Sequence, residues 1–362
     1  MLRKQCESEN LDKVKNKVLK YGISVGMAIL LLYFSFRGVK WEEFFGSLRN
    51  CRWEWIAFAM IAGVLSFWLR ALRWRELLLP IDRFTTLKTS FNAINIGYLA
   101  NLVLPRVGEF VRCGVISGHS SVNADNKRLA SYDKVLGTVV LERSWDVVTM
   151  LLLVILFAVS LWGRFGGFFI ERIFTPLSSR FDSGLWWVAV IAVAICLLLI
   201  WLVWHFCEKS MALRSLSKFI NGIGQGVISC MKMKKAWLFP TYTLFIWLTY
   251  WFMSYAVLMA VKGMDTSSLT TEMADAVAKL ASLGALDALF LMLAGSISSL
   301  VPVPGGFGAF HYIVAAALLS VYDVPFSMGI VFATLSHESQ MLTQLVCGCC
   351  SYVSESMSLV RK

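Results

Sequence analysis

Apolar residues run through this chain in long blocks rather than in strand-like alternation. Unbroken runs occupy 21–36 (YGISVGMAILLLYFSF), 185–204 (LWWVAVIAVAICLLLIWLVW) and 238–260 (LFPTYTLFIWLTYWFMSYAVLMA). A helix of about 20 apolar residues crosses the ~30 Å hydrocarbon layer of a bilayer, so each run predicts a transmembrane span. Further spans are expected near 55–72, 135–161 and 326–350. In WEEFFGSLRNCRW (41–53), Trp41, Phe44, Phe45 and Leu48 recur at helical spacing, which predicts a helix lying in the membrane interface. Two apolar stretches are interrupted instead, at NLVLPRVGEF (101–110) and at VPVPGGFGAF (301–310).

The lysines and arginines orient these elements, because cytoplasmic loops carry the excess of basic residues. Arg3, Lys4, Lys13, Lys15, Lys17 and Lys20 precede the first span, and Lys209, Arg214, Lys218, Lys232, Lys234 and Lys235 follow the fourth. Arg70, Arg73 and Arg75 close the second span and are expected at the cytoplasmic surface. With these sides fixed, 87–116 starts and ends in the cytoplasm, which predicts a re-entrant hairpin turning near Pro105. The second interrupted stretch, 285–322, enters from the opposite side. Each half then reads span, span, hairpin, span.

The expected fold is an all-α polytopic membrane protein of about six full spans and two hairpins, built as an inverted repeat. A basic cytoplasmic N-terminus (1–20) precedes a first repeat at 21–184 with its hairpin at 87–116. A second repeat at 185–355, with its hairpin at 285–322, leads to a cytoplasmic tail at 356–362. Two proline-kinked ordinary spans are the plainer alternative to the hairpins.

Composition agrees with the membrane reading: 57% of the 362 residues are hydrophobic and 16% charged, against about 25% charged in soluble domains. Tryptophans gather at run ends, as at Trp186, Trp187, Trp201 and Trp204, where an amphipathic ring prefers the headgroup level. The net charge of +11 is what basic cytoplasmic loops produce, so no nucleic-acid partner is expected. Cys347, Cys349 and Cys350 fall in an apolar helical run and read as small buried side chains. No metal or other cofactor is expected, and no nucleotide loop, HExxH or nucleophile elbow points to catalysis.

Charge at membrane depth costs roughly 2.5–3.5 kcal/mol per group on insertion scales, so such residues have partners and a purpose. The first interruption carries Asn101, Pro105, Arg106, Gly108, Glu109 and Arg112, and the following span carries Glu142, Arg143 and Asp146. Glu142 and Asp146 stack one helical turn apart and need cations, which Arg106, Arg112 or Arg143 would supply. Surplus guanidinium would suit a phosphate, whose oxygens match its planar fork. The second interruption offers Pro302, Pro304, Gly305, Gly306 and Gly308, where bare backbone amides would receive an anion, followed by His311. His337, beside Glu338, reads as a polar side chain satisfied at a helix interface.

RALRWRELL, NLVLPRVGEFVR, LERSWDVV and VPVPGGFGAF, in this order, resemble the membrane domain of lysylphosphatidylglycerol synthases, over roughly 20–355. Two departures stand out. Arg106 follows Pro105 directly where the family often has a glycine first, and His311 stands where an acidic residue is usual. The resemblance implies a flippase-like, noncatalytic transporter in the cytoplasmic membrane that moves an anionic phospholipid or a polyprenyl-phosphate-linked lipid. The headgroup would be held by Asn101, Arg106, Glu109, Arg112, Glu142, Arg143, Asp146, Gly305, Gly306 and His311. The alternative is a membrane scaffold or regulator of a separate lipid-modifying or glycosyl-transferring enzyme, and a third reading makes Glu109 or Glu142 the base of a transferase.

Overall fold

The computed structural model describes residues 41–122, 128–160, 221–226 and 232–360 apart from 268 and 302, together with 29, 33 and 228. The run expected to span at 21–36, apart from 29 and 33, the run at 185–204 and Pro302 lie outside the described residues. Among those described there is no strand; one isolated bridge pairs Val122 with Arg128.

Ten α-helices are described: α1 (Trp41–Asn50), α2 (Trp53–Leu78), α3 (Leu87–Val103), α4 (Gly108–His119), α5 (Tyr132–Ser160), α6 (Leu238–Lys262), α7 (Thr271–Ser282), α8 (Ala285–Ile297), α9 (Ala309–Tyr322) and α10 (Phe326–Val360). Two of them, α2 and α6, are long and apolar enough to cross a bilayer, and so is the stretch from Pro304 through α9. The pair α7–α8, bent by 105°, makes a fourth candidate if taken as one span. Outward-facing side chains support the same solvent. On α5, Val148, Leu151, Leu152, Ile155, Leu156 and Val159 are all at least half exposed, a stripe that lipid solvates and water does not.

Two compact units divide the chain. The first gathers the described residues up to Leu72, Lys88–Arg112, and Thr241 onward. Its core includes Ile94, Leu258, Met273, Phe290, Leu318 and Phe332, all at or below 2% exposure. Amphipathic α7 contributes Met273, Ala276, Val277 and Leu280 to that core. Its Lys279 Nζ donates to the Asp323 carbonyl and carboxylate at 2.6 and 2.7 Å, anchoring the left-handed end of α9. That ammonium holds the Asp323 carboxyl below its ordinary range, through the hydrogen bond first and the charge second. Buried Asp287 accepts the Gly284 N–H at the start of α8 (2.7 Å) and the Tyr322 hydroxyl (2.9 Å).

The second unit comprises Arg73–Leu87 and Cys113–Pro240. It buries Trp74, Leu77, Leu78, Ile116 and Val135, and the Trp74 indole donates to Thr138 Oγ1 at 3.0 Å. Asp82 organises the connection after α2, accepting the Phe84 and Ser121 amides and the Ser120 hydroxyl.

Two surface assignments made from sequence are corrected. Arg70 and Arg73 are buried, at 6% and 0% exposure, because α2 runs on to Leu78 and its apolar LLL end continues past them. Cys349 and Cys350 are exposed and Cys347 is half-buried, on a face of α10 shared with exposed Leu342, Leu345 and Val346. A membrane helix can turn small apolar residues outward as readily as inward.

Candidate functional site

Proline and glycine set the first interruption. Pro105 has no N–H to continue the ladder and restricts the residue before it, so α3 stops at Val103. Arg106 then adopts φ 60°, a left-handed conformation that costs a side-chain-bearing residue on the order of 1 kcal/mol. Asn101 Oδ1, still on α3, accepts the Gly108 N–H at 2.7 Å and so caps the first turn of α4 across the break. Gly108 lies against the Gly97 carbonyl so closely that a methyl group at either position would strike the other helix's backbone.

Charge collects just beyond this crossing. Glu109 lies in the first turn of α4, where the helix dipole favours a carboxylate. Arg112, one turn on, is 3% exposed. Arg106 is exposed and extends a long 3.5 Å contact from Nη2 to the Leu300 carbonyl, which belongs to the second interruption.

That second interruption consists of 3-10 turns at Ser298–Leu300 and Pro304–Gly306 with extended backbone at Val301 and Val303. Gly305, Gly306 and Gly308 all have positive φ, at 58°, 80° and 78°, which explains the glycine density that the sequence displays. His337 of α10 bonds through Nε2 to the Gly305 carbonyl at 2.9 Å. Its Nδ1 lies 3.2 Å from Glu338 Oε1, and His311 Nε2 lies 3.7 Å from the same oxygen. Thus Asn101, Arg106, Glu109, Arg112, Gly305, Gly306 and His311 all lie at two breaks within one compact unit. His337, read from sequence as a polar side chain satisfied at a helix interface, finds its partner in the glycine turn; no spacing in the sequence links it to Gly305.

Glu142, Arg143 and Asp146 sit on α5 in the other unit. There Arg73 Nη2 contacts Glu142 Oε1 at 3.1 Å and Asp146 Oδ1 at 2.7 Å. Arg73 and Glu142 are wholly buried and Asp146 is 19% exposed. The Arg73 guanidinium also lies 5.3 Å from the centre of the Phe239 ring. The expectation that these carboxylates need a cation, assigned from sequence to Arg106, Arg112 or Arg143, is met by a further residue, Arg73, which contacts both. The clue to Arg73 was RALRWRELLL itself, in which apolar residues persist beyond the arginines.

The sequence profile of the lysylphosphatidylglycerol synthase TM region matches residues 18–348, nearly the whole chain. The chain belongs to this family. No curated protein and no solved structure matches it. As a lysylphosphatidylglycerol synthase TM-region protein, it is a membrane protein connected with lipid handling. The four motifs that carried the resemblance map onto α2, the α3–α4 break, α5 and the turn before α9.

Left-handed geometry at Arg106 bears on one of the two departures noted above, since glycine takes that conformation without strain. Arg106→Gly is therefore expected to raise stability by up to about 1 kcal/mol, read as a small upward shift in the thermal midpoint of detergent-solubilised protein. A midpoint lowered by the substitution would mean that the side chain's contacts outweigh the backbone strain.

Proposed function

We propose that this protein moves the headgroup of an anionic phospholipid or polyprenyl-phosphate-linked lipid between leaflets of the cytoplasmic membrane, without catalysing a bond change. The observation that carries the reading is Arg106: a cation at a helix break, exposed, strained, and extended toward the carbonyl of a second break. Such a residue is retained where an anion needs a guanidinium fork. Gly305 and Gly306, only half-buried, leave backbone within reach at the second break, and Arg112 and Glu109 flank the first. The headgroup passes between these groups while the acyl or prenyl tails stay in the bilayer.

In this reading the two breaks are re-entrant hairpins of an inverted repeat, entering from opposite sides, with both chain termini cytoplasmic. Broken helices facing one another near the midplane are a recurrent way for transporters to bind a polar substrate. Arg73, Glu142 and Asp146 form a buried ionic anchor in the second unit rather than part of the headgroup path.

Reconstitution tests the proposal. Vesicles with fluorescent phosphatidylglycerol are prepared with and without protein, and inward movement is read by quenching of the outer leaflet. Wild-type protein is expected to speed transfer by about tenfold or more, a barrier reduction of about 1.4 kcal/mol or greater. The Arg106→Ala, Glu109→Ala double variant should fall back toward empty vesicles, and Arg106→Gly should lose transfer although it is the more stable protein. Transfer by the double variant at the wild-type rate would overturn the role given to this break. No acceleration by wild-type protein with either a phospholipid or a polyprenyl-phosphate probe would overturn transport itself.

A further inference from the structure

The contact between α10 and the glycine turn has a chemical peculiarity. A backbone carbonyl only accepts, so the 2.9 Å bond to Gly305 requires a proton on His337 Nε2. In the neutral imidazole Nδ1 is then a bare lone pair, and it faces a carboxylate oxygen at 3.2 Å. Two acceptors meet unless something positive lies between them. His311 Nε2 faces that same oxygen at 3.7 Å, too far for a good hydrogen bond. One proton can bridge His337 and Glu338 but leaves His311 outside the bridge.

A metal ion serves all three. The ligand atoms of His311, His337 and Glu338 lie within 4.8 Å of one another. Nitrogen and oxygen ligands at 2.0–2.1 Å from a tetrahedral ion stand about 3.3 Å apart, close to the 3.2 and 3.7 Å separations of the two imidazoles from Glu338. The Gly305 bond matches the outer-shell arrangement in which a ligating imidazole donates its second N–H to a carbonyl and is thereby held in one tautomer. His311 and His337 are almost fully buried, while the Glu338 side chain is 44% exposed, leaving a way in. The Phe307 and Phe310 rings, 5.3 and 5.1 Å from the His337 ring, form apolar walls.

We propose that His311, His337 and Glu338 bind a divalent transition-metal ion of the zinc type, which fixes the turn Pro304–Gly306 to α10. Two imidazoles and one carboxylate suit zinc rather than magnesium or calcium, which take oxygen ligands. The fourth position is left to water. The site revises the expectation of a metal-free protein, because His311 and His337 have no metal-like spacing along the chain: 26 positions and a helix–helix contact separate them. It does not depend on lipid movement, and its test does not read transport.

Full-length protein in detergent, stripped with chelator and dialysed, is titrated with cobalt(II) and then with zinc(II). Wild-type protein is expected to develop the intense visible absorption of tetrahedral cobalt, lose it on adding zinc, and retain about one zinc per chain by elemental analysis. Zinc should also raise its thermal midpoint. His311→Gln and Glu338→Gln should each lose the colour, the retained zinc and the zinc-dependent shift while keeping wild-type helical circular dichroism. Wild-type protein that retains no zinc above the stripped baseline overturns the site, whatever the variants do. Full retention by both variants, or a thiolate charge-transfer band assigning the metal to Cys347, Cys349 or Cys350, overturns it as well.

Discussion

Arg73→Ala is expected to lower the stability of this protein by about 3–5 kcal/mol, the usual cost of taking one partner from a buried ion pair. The guanidinium stands between Glu142 and Asp146 at 3.1 and 2.7 Å, with Arg73 and Glu142 at zero exposure. Its removal takes from two carboxylates one helical turn apart the cation that contacts both. The readout is the thermal midpoint, or the fraction surviving size-exclusion chromatography after a heat step. Combining Arg73→Met with Glu142→Gln and Asp146→Asn should recover much of the loss, because breaking a buried ion pair is costly mainly through the desolvated charge that stays behind. A triple variant no better than Arg73→Ala would show instead that side-chain shape dominates at this site.

Gly108→Ala is expected to cost about 1–3 kcal/mol, the range for forcing extra atoms into a packed contact. A new Cβ there meets the Gly97 carbonyl carbon and oxygen as well as the Asn101 side chain. One methyl group therefore disturbs both the crossing of α3 and α4 and the cap that Asn101 provides across the break. Lipid movement in the vesicle assay should fall further than stability does, because Arg106 and Glu109 flank the displaced residue. The paired substitution Asn101→Ala removes the cap without adding bulk; at most about 2 kcal/mol is expected from it. If Gly108→Ala were neutral in both measurements, the close approach would be irrelevant to fold and function alike.

Block hydrophobicity made the helical membrane fold legible, because lipid solvates whole helices and leaves a long unbroken signal. Proline and glycine marked both breaks at the right residues, since loss of an N–H and positive φ are local requirements that local sequence must meet. Amphipathic α7 was less visible: its 12 residues are too short to span, and polar Thr271, Glu272 and Asp275 gave it the look of a loop. Pairing across the fold was not legible at all. Arg73 reaches Glu142 over 69 positions, and His337 reaches Gly305 over 32. Periodicity carries no record of contacts at that range, so the need for a cation near Glu142 could be inferred while its identity could not.

The last helix is longer than any bilayer requires. Its 35 residues make a rod of about 52 Å, against the ~30 Å of a hydrocarbon layer. Along that rod His337 grips the glycine turn, Gly348 lies against Asn95 and Leu99, and Glu355 accepts a hydrogen bond from Asn92. A single helix therefore contacts both α3, which leads into the first interruption, and the glycine turn of the second. Force applied to α10, by a binding partner or by an engineered cross-link near Glu355, would reach α3 and the glycine turn together.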